Sequence, residues 1–439
     1  MKNSFFYIIN NSISVIILLF SLVVFSQTPE QKKGLLEQYD LAEIKKLELE
    51  FFDKAKADKE KAQSAAQFNQ WEIFKKNADG SVDELIGLFP DGSPIYFSIN
   101  NYNAAISTRA NQLHSGGGLG LNLNGQGMTV GVWDGGATRT THAEFGGRAV
   151  VGDGLTELNG NSFHATHVSG TVMAAGLDFE AKGMAFQANI KTFDWTQDEA
   201  EVLAEIQNGL LLSNHSYGVR LSSVPGWYPG AYSEDARQWD IIHSISPYYL
   251  MVVAAGNDGN NVNENATTTD FDKLTGNKNG KNNLVVANGS DAEISNDGQL
   301  ISVNINFGSS EGPTDDLRIK PDITGNGTNL YSTNSTGDNE YRSLSGTSMA
   351  SPNVMGTLLL LQQHHNNLYQ KFMKSATLKG LACHTADDAG NPGPDPVFGW
   401  GLLNAKTAAN AITNNGLNTW ISEESIAQNQ IYTCTKFMA

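Results

Sequence analysis

The sequence of 439 residues is poor in several residue types, and each shortage excludes a class of protein. Two cysteines cannot form the disulfide framework of a small secreted domain, and they leave the redox compartment undecided. The 29 Lys and Arg stand against 46 Asp and Glu, and a net charge of −17 argues against a nucleic-acid binder, because the phosphate backbone repels it. Twelve prolines beside 44 glycines without a three-residue period exclude collagen.

Long apolar runs are absent after the N-terminus. Residues 14–25 read SVIILLFSLVVF, which is about the length of a signal-peptide core and shorter than the ~20 residues that a membrane span needs. Val24 and Ser26 are small enough to flank a cleavage site, so residues 1–26 are predicted to be a signal peptide and Gln27 the first residue of the mature chain. An uncleaved N-terminal anchor is the alternative. The protein is predicted to be secreted, without membrane association after cleavage.

What the chain does contain is a set of short apolar runs that can build a buried core, since 40% of its residues are hydrophobic. MTVGVWD, NIKTFDW, LMVVAAGN and NLVVANGS each end in small or polar residues, and helical patterns lie between them, notably at residues 199–212 and 235–245. Strands that alternate with helices predict an α/β fold, with a mostly parallel central sheet flanked by helices. In such sheets the chemistry lies beyond the carboxyl ends of the strands.

The chain ahead of these runs is predicted to be a small α+β region over residues 27–105. Apolar residues fall near helical spacing over residues 29–69, and residues 84–99 have the pattern of a β-hairpin around the turn PDGS. The glycine-rich residues 114–127 are predicted to be a loop that leads into the main unit.

Three short segments place a chemically active side chain at the end of a strand or the start of a helix. VGVWDGG carries Asp134, HATHVSGT begins with His164, and LSGTSMASP carries Ser348 in the first turn of a helix. Taken singly, the Asp is explained as a turn or cap residue and the Ser as an N-cap. His164 and His167 could instead bind a metal ion, but no third ligand follows at a recognisable spacing.

Together, these side chains meet the requirements of a serine nucleophile. A hydroxyl attacks well only when a positioned base removes its proton, an imidazole does so near neutral pH, and a carboxylate fixes the tautomer of the imidazole. Free N–H groups at a helix start also favour the developing negative charge. The chain order Asp, His, Ser is that of the subtilisins, whereas α/β-hydrolases have Ser, Asp, His.

VGVWDGG, HATHVSGT and LSGTSMASP resemble the three active-site signatures of the subtilisin-like serine peptidases, and the resemblance covers roughly residues 127–411. It implies a subtilisin-like three-layer fold and a secreted serine endopeptidase that hydrolyses peptide bonds through an acyl-enzyme. It also implies the roles: Ser348 is the nucleophile, His164 as the first histidine of its motif is the base, and Asp134 orients His164.

Two further matches belong to a substrate cleft. Ser216, Tyr217 and Gly218 resemble the S-x-G strand with which the family binds substrate main chain by strand addition. The run VVAAGN, with Gly256 and Asn257, resembles the segment whose asparagine amide donates a hydrogen bond to the oxyanion. Taken alone, Asn257 is also explained as a turn residue.

The resemblance also sets expected boundaries and partners. Residues 106–412 are predicted to be the peptidase domain, residues 27–105 a propeptide or a retained domain, and residues 413–439 a C-terminal extension that is a cap or part of a truncated module. Polypeptides are the expected substrates of a monomer, and no metal or organic cofactor is expected in the chemistry. Calcium often stabilises the family, and the acidic residues 258–272 offer oxygen ligands, although a solvated loop explains them equally.

Two other functions compete with this one. A catalytically silent subtilase-like protein would hold peptides without cleaving them, and the intact set of active-site residues argues against it. A lipase or esterase would use the same triad on another fold, but no G-x-S-x-G motif surrounds Ser348 and the chain order is wrong for that fold.

Overall fold

The computed structural model describes residues 65–69, 71, 74–76, 82–88, 94–97, 101–263 and 271–433. The predicted signal peptide, most of the predicted helical segment of residues 29–69 and Cys434 lie outside these residues. Over the part of the chain that is described, none of the helices is both long enough and apolar enough to cross a membrane.

The elements are numbered in chain order. The strands are β1 (Phe74–Lys76), β2 (Val82–Leu88), β3 (Pro94–Phe97), β4 (Thr129–Asp134), β5 (Ala149–Val151), β6 (Asn189–Asp194), β7 (Leu212–His215), β8 (Leu250–Ala254), β9 (Leu284–Gly289), β10 (Glu293–Ile294), β11 (Leu300–Ser302), β12 (Ile323–Asn326), β13 (Leu330–Thr333) and β14 (Tyr341–Leu344). The α-helices are α1 (Asn101–Ser107), α2 (Ala110–Leu113), α3 (Ser162–Met173), α4 (Asp198–Ile206), α5 (Glu234–Ile245), α6 (Thr347–Tyr369), α7 (Ser375–His384) and α8 (Ala405–Thr413). Short 3₁₀ turns occupy Ala143–Phe145, Phe179–Ala181, Trp195–Gln197, Leu221–Ser223 and Gly276–Asn279.

The central sheet of the described residues has the strand order β12-β9-β8-β7-β4-β6-β5, and every pairing in it is parallel. Along β8, Leu250 and Val252 belong to one hydrophobic core, whereas Met251 and Val253 belong to the other. Both faces of the sheet are therefore buried, which is why β8 and most of β9 read as continuous apolar runs. The predicted α/β fold with helices on both faces is confirmed.

Helix α6 is the main support beneath one face of the sheet, where it packs beside α3 and α8. Its residues Leu358 and Leu359 are fully buried, and replacing either with Ala would cost about 2–5 kcal/mol of stability. Small side chains bring α3 close to β13: a Cβ on Gly170 would lie 2.2 Å from Oγ1 of Thr333. The other face of the sheet is covered by α4 and α5, which carry Leu203 and Trp239 into the second core.

Helix α4 ends six residues before the predicted end at residue 212. Gly209 adopts a φ of +89°, a left-handed conformation that glycine reaches without strain, and Leu212 already begins β7. An apolar run such as 210–212 fits the end of a helix and the start of a strand equally, so periodicity alone misplaced this boundary. The predicted helix at 235–245 is α5, whose cap Ser233 accepts a hydrogen bond from the N–H of Ala236 at 3.3 Å.

The N-terminal strands form a separate antiparallel sheet, in which β2 pairs with both β1 and β3. The pairing of β2 with β3 is the hairpin that the sequence predicts over residues 84–99. Helix α1 crosses the predicted domain boundary at residue 105, and its residues Ala104 and Ala105 are buried in the core of the central sheet. The chain thus joins the main core by residue 104, and the domain boundaries themselves stay predictions.

Candidate active site

Three neighbouring strands of the central sheet end in the residues that the sequence singles out. Strand β4 ends at Asp134, β7 is followed directly by Ser216, and β8 is followed by Gly256 and Asn257. Because these strands are parallel, their carboxyl ends lie along one edge of the sheet. Side chains from separate parts of the chain therefore meet at this edge.

Asp134 and His164 are in direct contact. Nδ1 of His164 lies 2.7 Å from Oδ1 and 2.9 Å from Oδ2 of the carboxylate, which also accepts a hydrogen bond from the N–H of Gly135 at 2.7 Å. A carboxylate can only accept, so Nδ1 carries the proton and Nε2 is left as the basic atom. The Asp134 side chain is 3% exposed and that of His164 is 24% exposed, so the carboxylate is shielded while the imidazole reaches solvent.

The charge of Asp134 controls the pKa of His164. Burial by itself lowers this pKa, but the attraction and the hydrogen bond of Asp134 outweigh it, and the pKa stands above its ordinary value of 6.5. Arg342 acts in the opposite direction through its positive charge. The imidazole is therefore a base whose protonated form is stabilised in place.

His167, one turn further along α3, has the opposite environment. Its Nε2 lies 2.9 Å from the carbonyl oxygen of Leu330 and 3.0 Å from that of Arg342, so this nitrogen donates to the backbone of the paired strands β13 and β14. Burial lowers its pKa to about 3, and the charges of Arg342 and His164 add to the effect. His167 therefore braces the scaffold as a neutral side chain. Within the described ranges no three His, Cys, Asp or Glu side chains are grouped to hold a metal ion.

Ser348 is the second residue of α6 and is 8% exposed. Its hydroxyl donates to the carbonyl oxygen of Ser216 at 3.0 Å, and the hydroxyl of Ser216 donates in return to the carbonyl oxygen of Ser348 at 2.9 Å. This exchange fixes the start of α6 against the end of β7. In this rotamer the hydroxyl of Ser348 binds Ser216 instead of His164. A hydrogen bond between a nucleophile and its base often forms only when substrate is bound.

Asn257 is held by the start of the same helix. Its Oδ1 accepts from the backbone N–H of Thr347 at 2.9 Å and from the Thr347 hydroxyl at 3.1 Å. Because a backbone N–H can only donate, the atom that faces it must be the oxygen, and the amide NH₂ points the other way. Gly256 before it has a φ of +112°, a conformation that favours glycine. The side chain of Asn257 is exposed, so its amide is available as a donor.

A cleft of about 260 Å³ opens beside these groups. It is lined by residues that the sequence predicts for the site and by aromatic and basic residues that it does not mark: Asp134, His164, Ser216, Tyr217, Gly218, Phe163, Trp195 and Arg220. Phe163 directly precedes a signature histidine, and this adjacency is the one signal that sequence reasoning could have used. Trp195 and Arg220 follow strands β6 and β7 at the same sheet edge, which becomes apparent only from the fold.

Beneath the cleft, a second set of Asp, His and Ser side chains forms a hydrogen-bonded chain, which we call the buried group (Asp198, Tyr217, His215 and Ser213). The Tyr217 hydroxyl donates to Asp198 at 2.6 Å and lies 2.7 Å from Nδ1 of His215, whose Nε2 lies 2.8 Å from the Ser213 hydroxyl. Burial lowers the pKa of His215 well below 6.5 and raises the pKa of Asp198 to about 7. Sequence reasoning singled out Tyr217, as a residue of the cleft, and overlooked the other three members.

A parallel α/β sheet that presents a carboxylate–imidazole pair and a serine at a helix start has the features of a serine hydrolase. The family model of Peptidase_S8, the Subtilase family, matches residues 125–401. The chain belongs to the Subtilase family.

Individual relatives match either over a short stretch or at lower sequence identity. The chain is 36% identical over 122 residues to the PII-type proteinase of Lactococcus lactis subsp. cremoris, which is 24% of this chain and 6% of that protein's length. It is 26% identical over 290 residues to the alkaline extracellular protease of Yarrowia lipolytica, covering 64% of this chain and 55% of the relative. The Clostridium perfringens CspB protease structure has a TM-score of 0.54 at 16% identity, covering 70% of this chain and 99% of that one, and indicates the shared fold.

Proposed function

We propose that this protein is a secreted serine endopeptidase whose catalytic residues are Asp134, His164 and Ser348. The observation that carries the proposal is the contact of His164 Nδ1 with the shielded Asp134 carboxylate at 2.7 Å, at the mouth of a cleft. Ser348 is bound to Ser216, a residue of the same cleft wall. Membership of the Subtilase family supports the assignment.

The reaction begins when the Ser348 hydroxyl leaves the Ser216 carbonyl and attacks the scissile carbonyl carbon. Nε2 of His164 takes the hydroxyl proton, and the Asp134 carboxylate stabilises the imidazolium that forms. His164 then gives this proton to the leaving amine, which departs and leaves an acyl group on Ser348. Water, deprotonated by His164, hydrolyses the acyl-enzyme and restores the serine.

The oxyanion of each tetrahedral intermediate is stabilised by two donors. One is the amide NH₂ of Asn257, which is oriented by the contact of its oxygen with Thr347. The other is the backbone N–H of Ser348, which lies in the first turn of α6 and so has no partner within that helix. Donors fixed before the reaction need no reorganisation when charge develops. No metal ion or organic cofactor is needed for these steps.

The substrate is a polypeptide whose main chain pairs with residues 216–218. Tyr217 and Gly218 line the cleft, and this segment continues β7 beyond the edge of the sheet. Strand addition uses main-chain hydrogen bonds, so it accepts many sequences and leaves selectivity to side-chain pockets.

Secretion as a monomer completes the proposal, with residues 1–26 as the signal peptide and residues 27–105 as a propeptide. The name of the Yarrowia lipolytica relative, an alkaline extracellular protease, supports export. A structural calcium ion among residues 258–272 and a C-terminal extension after residue 412 remain part of the same proposal.

Reaction with a fluorophosphonate tests the proposed function directly. The mature protein is expected to be labelled at Ser348, as located by mass spectrometry of its peptides, and to cleave a denatured protein substrate. The His164→Ala variant should be labelled far more slowly, because the base that activates the hydroxyl is gone. A folded, mature protein that binds peptides but is neither labelled nor active would instead support the catalytically silent alternative.

A further inference from the structure

Two glycines, Gly218 and Gly256, border the space that the Lys278 side chain enters, and we call this space the slot. Strands β7 and β8 pair in parallel, and Gly218 and Gly256 lie beyond their carboxyl ends. The segment of Gly218 begins at Ser216, which accepts the Ser348 hydrogen bond, and the segment of Gly256 leads to Asn257. The slot therefore adjoins the two residues that would hold a scissile carbonyl in our proposal, Ser348 and Asn257.

Lys278 occupies the inner part of the slot. A Cβ on Gly218 would lie 1.9 Å from Nζ and 3.0 Å from Cε of Lys278, and a Cβ on Gly256 would lie 3.8 Å from Cε. Lys278 belongs to the 3₁₀ turn Gly276–Asn279 and is 2% exposed. Its ammonium thus lies behind Gly218, where an incoming side chain would end.

Carboxyl groups line the same space, but they differ in charge. A cavity of about 170 Å³ shares Gly218 with the cleft and is also lined by Lys278, Asp198, Glu199 and Asp235. Burial raises the pKa of Glu199 to about 10, with the charges of the two aspartates adding to it, so Glu199 is neutral at physiological pH. Burial also raises the pKa of Asp198, to about 7, so Asp198 is only partly charged there. Burial raises the pKa of Asp235 to about 6, opposed chiefly by the charge of Lys278, so Asp235 is the anion that faces this ammonium.

We propose that Lys278 makes the enzyme selective for peptides with an acidic side chain at the residue whose carbonyl is attacked. A glutamate or aspartate carboxylate entering between Gly218 and Gly256 meets the Lys278 ammonium inside the slot. A charge-assisted hydrogen bond formed away from water is stronger than one between neutral groups. This inference rests on the proposed function, because it assigns the side-chain preference of the same site.

Apolar and basic side chains are disfavoured by the same groups. A large apolar side chain would have to displace the lysine or leave its charge desolvated without gain, which is costly for a buried ion. A basic side chain would bring a second positive charge against Nζ before it reached the carboxyl groups behind it. The atoms nearest to the Gly218 wall belong to Lys278 and not to a carboxylate.

Four matched peptides test the selectivity of the wild-type enzyme. They are internally quenched substrates that differ only in the attacked residue, which is Glu, Gln, Leu or Lys. Glu and Gln have nearly the same shape, so the ratio of their kcat/KM values isolates the charge. We expect a Glu/Gln ratio of about 10 to 100, the range that one buried charge-assisted contact supplies. A ratio near one, or faster cleavage after Leu or Lys, overturns the inference.

Three variants assign the ratio to Lys278. Lys278→Met keeps the length of the side chain without its charge and should bring the Glu/Gln ratio to about one or below, whereas Lys278→Arg should preserve a preference for Glu. Lys281→Met is the matched control, because Lys281 is exposed and lies over the Tyr232 ring at 4.5 Å, and it should leave the ratio unchanged. A Lys278→Met enzyme with the wild-type ratio refutes the assignment. If that variant does not fold, the wild-type and Lys278→Arg ratios decide the question.

Fluorophosphonate labelling separates the two levels of the proposal. An enzyme that is labelled at Ser348 and cleaves without acidic preference refutes the role of Lys278 and leaves the proposed function intact. A mature protein that is neither labelled nor active with any of the four peptides refutes the proposed function and, with it, the selectivity.

Discussion

The protein contains two sets of Asp, His and Ser side chains, and they behave differently. The cleft group (Asp134, His164 and Ser348) lies at the sheet edge, where the imidazole is 24% exposed and in contact with an ionisable carboxylate. The buried group places Tyr217 between Asp198 and His215, and the His215 side chain is fully buried. The attraction of Asp134 raises the pKa of His164, whereas burial lowers the pKa of His215 well below 6.5.

The difference teaches that residue types do not by themselves make a catalytic site. In the buried group the hydrogen bonds run in one direction: the Ser213 hydroxyl donates to Nε2 of His215, whose Nδ1–H donates to the Tyr217 hydroxyl, which donates to Asp198. Nε2 is thus occupied and no substrate reaches it. In the cleft group Nε2 of His164 is left as a base beside a cleft. Access and a direct carboxylate contact distinguish the two groups.

The serines should give the largest contrast. Ser348→Ala is expected to lower kcat for peptide hydrolysis on the order of 10⁶-fold, the magnitude established for subtilisin, a member of the same family. Ser213→Ala should leave the rate of the folded protein within about tenfold and lower the free energy of unfolding by about 1–3 kcal/mol, because His215 and Tyr249 lose a buried partner. Initial rates and urea unfolding measure both. Substantial turnover by the Ser348→Ala enzyme would contradict the proposal that Ser348 is the nucleophile.

The aspartates come next. Asp134→Asn should lower kcat by about 10⁴-fold, because an amide can stabilise the wrong tautomer of His164 and cannot stabilise its cation. Asp198→Asn still accepts the Tyr217 hydrogen bond, and its rate should stay within about tenfold. Comparable losses of rate in the two folded variants would show that the buried group takes part in turnover.

Asp198→Asn should also change how the free energy of unfolding depends on pH. Burial raises the pKa of Asp198 from 3.8 to about 7, so the folded state holds this proton more tightly than the unfolded state. Its contribution to stability is complete below about pH 4 and is lost as the pH rises through about 7. The variant lacks this titration, so its stability relative to the wild type should increase between pH 4 and pH 8. Urea unfolding at several pH values measures the trend, and a parallel dependence in both proteins would contradict it.

Substitutions of Asn257 test the proposed oxyanion donor, which lies beside the cleft group and has no counterpart in the buried group. Asn257→Ala should lower kcat about 10²–10³-fold with little change in KM, because the oxyanion exists only in the transition state and intermediates. Asn257→Asp is the matched variant: its carboxylate still accepts from the Thr347 N–H but donates nothing, and it should be no more active than the alanine variant. An active aspartate variant would show that the amide acts by holding Thr347.

The smallest effect is on the pH profile. Since the base must be neutral and its pKa is raised above 6.5, kcat/KM should fall about tenfold per pH unit below that pKa. Arg342 lowers this pKa by its charge, so Arg342→Met should move the acidic limb to higher pH. His215 stays neutral over this range and should add no inflection. A flat profile down to pH 4 would contradict His164 as the base.

Much of the fold could be predicted, because several strands of a buried parallel sheet are recognisable in the sequence as short apolar runs. The four runs became β4, β6, β8 and β9, and their ends differ from those of the strands by at most three residues. The end of α4 could not be predicted, because the buried run at residues 210–212 fits a helix or a strand. The positive φ of Gly209 settles which one forms.

The sequence by itself determined the residue types of the proposed chemistry, their order along the chain and the strands and helices that carry them, because short-range motifs and periodicity are local properties. Only the tertiary structure separated His164 from His215 and brought Lys278 behind Gly218. Those distinctions depend on burial, hydrogen-bond partners and charge, and the contacts of the cleft group join residues 30 and 132 positions apart in the chain. Sequence patterns do not reveal such contacts, because they form only when the folded sheet brings the ends of its strands to one edge.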